Sequence, residues 1–110
     1  MIGGNVIAEI QMLSGDFKNA IGEVTQEFST VHRLRGFLDY TSGEAGRANY
    51  NAKLQESSHV FICDYMRLHD DINAENSRVI IGSQMFDIVL IDDPMELHRH
   101  LEIYLKYTGR

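Results

Sequence analysis

Arg78-Val79-Ile80-Ile81-Gly82-Ser83-Gln84-Met85-Phe86-Asp87-Ile88-Val89-Leu90-Ile91, continued by Asp92-Asp93-Pro94 and by the segment up to Tyr107, is the stretch whose reading decides the fold. Arg78–Ile81 is a short apolar run, and Gly82-Ser83 interrupts it as a turn, because glycine reaches positive φ at no steric cost. The chain returns through Met85–Ile91, rich in the β-branched and aromatic residues that suit a pleated surface. Asp92-Asp93-Pro94 stops this second strand, since proline has no N–H to give to a ladder. Beyond it Leu101, Ile103, Leu105 and Tyr107 alternate with His100, Glu102, Tyr104 and Lys106. Period two, with one dry and one wet face, is the mark of an antiparallel sheet. The spacing therefore predicts a hairpin followed by a closing strand.

Working outward, Asn5–Leu13 alternates Val6, Ala8, Ile10 and Met12 against Asn5, Glu9 and Gln11, and is predicted to be the first strand. Ser14–Gly22 carries two glycines, an Asp and an Asn and reads as a loop. Glu23–Asp39 is again extended. Phe28, Thr30, His32, Leu34 and Leu38 are expected on one side and Ser29, Val31, Arg33, Arg35 and Phe37 on the other, with a bend near Gly36. Thr41 or Ser42 is suited to cap a short helix running from Glu44 to Gln55, with Ala45, Ala48 and Ala52 on one stripe. Ser57–Tyr65 is a further strand, followed by the aperiodic polar stretch Met66–Ser77. The expected fold is mainly β: a small antiparallel barrel or curled sheet, with one short α-helix and long loops, closed by Asn5–Leu13 and Leu101–Tyr107.

Composition narrows the function classes. At 110 residues, 44% hydrophobic and 24% charged, the chain has the balance of a single globular domain spanning 1–110. No apolar run approaches the ~18 residues of a membrane span. Met1-Ile2-Gly3-Gly4 does not have the form of a secretory leader. One cysteine, Cys63, permits no internal disulfide and fits a reducing compartment. A net charge of −6 repels phosphate, which disfavours DNA binding by counterion release as the main task.

Candidate chemistry is sparse. His98-Arg99-His100 places two imidazoles on one side of a strand with Glu96 or Glu102 nearby, as in the His-x-His pair of cupin barrels. The glutamate several residues on and the distant fourth ligand of those barrels are missing, so the pair reads as surface histidines and no metal is expected. His59 and Cys63 share a strand side but stand too far apart to touch, and a buried, apolar cysteine is the better reading. The chain has no Gly-x-Ser-x-Gly elbow and no phosphate-loop lysine. No catalytic residue and no cofactor are therefore expected. Arg33, Arg35 and Arg47, with Tyr40 or Tyr50, form either a solvated strand face or a contact with another subunit. Between Asp64 and Asn76 four acids, Asp64, Asp70, Asp71 and Glu75, stand against a single Arg67.

The order of these segments resembles a family. A first strand, a Gly-containing loop and an extended segment ending in Gly36-Phe37-Leu38-Asp39-Tyr40-Thr41-Ser42-Gly43-Glu44, then a short helix and a strand, is similar to the tailed-phage head–tail adaptor and head-completion (stopper) proteins. The Arg78–Ile88 hairpin and the closing strand continue the likeness, while Val31-His32 stands where a Trp often sits in that family. The resemblance implies a structural virion protein of a tailed bacteriophage or prophage, made in the host cytoplasm and not an enzyme. It implies a homo-oligomeric ring beneath the portal that completes the head, meets portal or adaptor and tail proteins, and passes DNA without reading its sequence. In such a ring Asp64, Asp70, Asp71 and Glu75 are expected to face the channel, and Arg33, Arg35, Arg47 and Tyr50 to meet a neighbour. The rival expectations are a monomeric barrel that binds another protein, and a metal-dependent barrel enzyme using His98 and His100.

Overall fold

The computed structural model describes residues 4–18, 20–40 and 57–109. The predicted helix Glu44–Gln55, together with Arg47 and Tyr50, lies outside the described residues. Among the described residues six strands form the fold: β1 (Val6–Lys18), β2 (Val24–Tyr40), β3 (His59–Asp64), β4 (Ser77–Ile81), β5 (Gln84–Asp92) and β6 (His100–Gly109). A single 3-10 turn, Pro94–Glu96, joins β5 to β6. All pairings are antiparallel, and the ring of neighbours β1-β2-β3-β6-β5-β4 closes on itself as β4 pairs with β1. No helix among the described residues is long and apolar enough to cross a membrane.

The deciding hairpin is where the sequence puts it. Ile81 pairs with Gln84 across Gly82-Ser83, and Gly82 takes φ +61, the conformation glycine is there to supply. Leu101, Ile103 and Leu105 of β6 are buried, as their alternation requires. They meet Ala8 and Ile10 of β1, Leu34 of β2, Phe61 and Cys63 of β3, Val79 and Ile81 of β4, and Phe86 and Ile88 of β5 in one core. Burying each large aliphatic or aromatic side chain contributes about 1.5–3 kcal/mol. Leu105 fills the interior opposite Ile88 on one flank and His59 on the other.

The closure differs from the expected one. β1 does not meet β6; it pairs with β4, Ala8 opposite Ile81 and Ile10 opposite Val79. The reason is that β3 inserts between β2 and β6, so β6 has both edges occupied, by β3 and β5. The free edge left for β1 belongs to β4, whose inward Val79 and Ile81 complement Ala8 and Ile10.

The expected loop Ser14–Gly22 is also corrected, since β1 continues to Lys18 and pairs with β2 as far as Val24. This outer ribbon shows no apolar alternation because it lies beyond the core, and Ser14, Gln26, Glu27, Ser29 and Thr30 are exposed. Register shifts mark where it leaves the barrel, between Ile10 and Gln11 and between Leu13 and Gly15. On β2 the extra residue of the first shift is Val31, not a residue near Gly36. The bulge reverses side-chain parity. Val31, expected on the side opposite Leu34, packs against the core, while Thr30 and Phe28, expected on the side of Leu34, turn outward. The Arg78 guanidinium lies 3.9 Å from the centre of the Phe28 ring, a cation–π contact on that outer face.

Candidate functional site

Because every pairing is antiparallel, the β1–β2, β3–β4 and β5–β6 connections emerge at one end of the barrel. The β2–β3 and β4–β5 connections emerge at the other. The first end carries the ribbon, the acidic segment and the Asp93–Arg99 link, and it is the candidate site.

The acidic segment is not a single array. Asp64 is the last residue of β3, opposite His100. Asp70, Asp71 and Glu75 are exposed on the loop that follows. That loop is more built than its composition suggests. Leu68 and Ile72 pack against the core, and Ser77 at its end is buried. The Asn73 carboxamide oxygen accepts from the N–H groups of Glu75 and Asn76, both at 2.9 Å. The Asn76 side chain accepts from Asn73 N–H at 3.1 Å and donates to the Asp71 carbonyl at 2.9 Å. Arg67 lies 3.7 Å from Asp70, and both are so exposed that the pair contributes little. The loop is anchored where Tyr65 N–H donates to the Arg99 carbonyl at 3.2 Å and where Leu13 N–H donates to the Asn76 carbonyl at 2.8 Å. At its middle, His69 N–H donates to Nε2 of His32 on β2 at 2.9 Å. Burial, and secondarily the neighbouring His69, holds the His32 pKa below the ordinary histidine value. Sequence reading missed this pair, which joins residues far apart in the chain; the available signal was a lone His32 on the inward side of an apolar strand.

The two histidines of His98-Arg99-His100 are not brought to one point. His98 Nδ1 lies 2.5 Å from Asp93 Oδ2, its N–H donates to Asp93 Oδ1 at 3.0 Å, and its ring stacks on Tyr65 with centroids 4.5 Å apart. His100 Nε2 instead meets Glu102 Oε2 at 3.1 Å. His98 sits in the link before β6 with φ +56, so strand geometry does not govern where it points. Among the described residues no group of three or more His, Cys, Asp or Glu side chains is arranged to hold a metal. Met95 and Leu97 of this link are exposed.

Cys63 is buried, and desolvation, with Asp64 beside it, pushes its thiol up to about 11. His59 hydrogen-bonds Ser58 Oγ at 2.9 Å and is enclosed by Tyr40, Phe86 and Tyr107; burial lowers its pKa. Arg33 and Arg35 lie on the outer face of β2. Arg33 Nη2 reaches Glu9 Oε2 at 3.1 Å across the β1–β2 ladder, and Arg35 donates to the Gly4 carbonyl at 3.3 Å. Exposed Ile7, which pairs with Arg35, and exposed Phe37 extend this face with apolar surface.

Fold and surface define a small closed antiparallel barrel with a projecting ribbon and a built loop beside it. The same fold occurs in the solution structure of protein SF1141 from Shigella flexneri 2a. The two align over 96% of this chain and 93% of that one, with a TM-score of 0.61 and 18% identity. No curated protein matches the sequence. The model of the phage head completion protein family matches residues 6–106, and the chain belongs to that family. It is a structural component of a phage virion, in which it interacts with other phage proteins of the head and tail.

Proposed function

We propose that the chain forms a homo-oligomeric ring beneath the portal, completing the head, passing DNA through its bore and docking the tail. The observation that carries this reading is the ribbon. Among the described residues, β2 has a strand neighbour beyond β1 only from Gly36 onward, and β1 has one beyond β2 only as far as Met12. Residues 24–35 of β2 and 14–18 of β1 therefore present backbone edges that a second chain can pair with. An isolated two-stranded ribbon is marginal in water and gains stability from a neighbour. Head-to-tail contacts of this kind close into rings when the rotation between subunits permits. Arg33 and Arg35, beside exposed Ile7 and Phe37, offer a polar and apolar patch on the same strands. Asp70, Asp71 and Glu75, on the loop beside the ribbon, suit a bore wall that does not grip phosphate, and the net charge of −6 acts in the same direction.

The test is electron microscopy of the purified protein mixed with portal complexes of its own phage. A ring on the portal, formed by a protein that is monomeric or weakly associated alone, is expected. Absence of any association at about micromolar concentration, a range in which specific contacts of ordinary interface size bind, would overturn the reading in favour of a monomeric binding module.

A further inference from the structure

We propose that His32 and His69 form a proton-operated latch, which holds the Asp64–Asn76 loop against the barrel at neutral pH and releases it in mild acid. The latch is two acceptors in series. His69 N–H donates to His32 Nε2 at 2.9 Å, and Asp71 N–H donates to His69 Nδ1 at 3.2 Å. Each ring nitrogen must keep its lone pair to accept, so His32 carries its proton on Nδ1 and His69 on Nε2. A second proton on His32, at Nε2, sets N–H against the His69 N–H and replaces an attraction with a repulsion.

The position of the latch gives it leverage. Tyr65 and Asn76 fix the two ends of the loop, and the Asn73–Asn76 bonds fix its internal shape. Among the described residues, the His32–His69 bond is the polar tie from the loop's middle to a strand. Leu68 and Ile72 are the apolar groups that move when it opens. The rings line an open cleft of about 490 Å³ together with Val31 and Leu68, so protons reach them without unfolding the barrel. The charged groups of the cleft are Arg67, Asp70 and Asp71. Arg67 and Asp70 face each other at 3.7 Å. From β1, His32 is opposed by uncharged Ile10, while Glu9 and Arg33 pair on the outer face.

The direction follows from burial. His32 is held below its ordinary pKa in the closed form, so the open form binds more protons in the window just below the ordinary value of about 6.5. The closed loop is fully favoured above that value and loses ground as pH falls toward the depressed one. The inference rests on the hydrogen bonds of one subunit and does not require the ring.

Native-state hydrogen exchange followed by NMR tests it. In the wild type, protection of the His69 amide, corrected for intrinsic exchange, should fall about tenfold for each pKa unit by which the two forms differ. The fall is expected between about pH 7.5 and about pH 5, the range in which histidine titrates, while barrel amides such as Ile103 keep their protection. His32→Gln supplies an acceptor that cannot take a second proton, so its His69 amide should stay protected across the same range. Flat protection in the wild type, or the same fall in His32→Gln, overturns the latch. Ring nitrogen shifts give a check that needs no variant. Nε2 must be the unprotonated nitrogen of His32 at neutral pH, and finding Nδ1 unprotonated instead overturns the latch.

Discussion

Replacing Gly36 by alanine adds one methyl group at the most crowded point of the barrel wall. A Cβ built there lies 2.3 Å from the Ile62 carbonyl oxygen, 2.7 Å from Phe61 Cζ and 3.0 Å from Cys63 Cβ. The first of these is about an ångström inside ordinary contact, and its partner is backbone, so a strand rather than a rotamer must give way. The strand is pinned on both sides, since Gly36 pairs with Cys63 of β3 and Val6 of β1, and its carbonyl accepts from Asn5 N–H at 3.1 Å. Overpacking in a rigid core costs about 1–3 kcal/mol, and an immovable backbone neighbour puts this site near the top of that range, at about 3 kcal/mol. For a domain of this size such a loss lowers Tm by roughly 12–24 °C. Urea unfolding should show a lower midpoint at unchanged slope, because the surface exposed on unfolding is the same. An unchanged midpoint for Gly36→Ala would refute the argument that β2 and β3 approach this closely only because residue 36 has no side chain.

Three further outcomes are expected. Phe86→Ala empties the barrel centre, where the ring meets His59 and Tyr107 edge-on, and should cost about 3–5 kcal/mol in urea unfolding. Cys63 should react slowly with thiol reagents while folded. Its raised pKa means that the stability it contributes is complete below the unfolded thiol value of about 8.5 and is lost as pH rises toward about 11, which unfolding curves across that range will show. The double change Asp70→Lys with Asp71→Lys alters two exposed positions and should leave the fold intact; in particles completed with it, DNA exit should slow at low salt and recover at high salt, whereas unchanged exit would remove the loop from the bore.

What the sequence makes legible is local. The β4–β5 hairpin can be read because Gly82 marks the turn, and the inward face of β6 because Leu101, Ile103 and Leu105 alternate. Even there Tyr107 departs from the pattern, being half-exposed near the end of the strand where Phe86 pairs with it and a register shift follows. Partner choice is not local, because β4 and β6 offer β1 similar apolar faces and only the insertion of β3 decides between them. The bulge at Val31 leaves no mark in an otherwise regular run, yet it turns Phe28 and Thr30 outward. In the candidate site the acids of the loop are visible in the composition. The rings that hold the loop are not, since contact between His32 and His69 exists only once β2 and the β3–β4 connection lie side by side.

The insertion of β3 between β2 and β6 also sets an order of events during synthesis. β3 emerges from the ribosome long before its second neighbour, and until β6 follows, one of its edges has no partner within the chain. β1 likewise waits for β4 across the whole intervening segment. Both closures bring together strands distant along the chain, so they must overcome loop entropy before any contact rewards it. Barrel closure is thus a late and slow step. A nascent chain therefore spends its most aggregation-prone interval with the β3 edge bare.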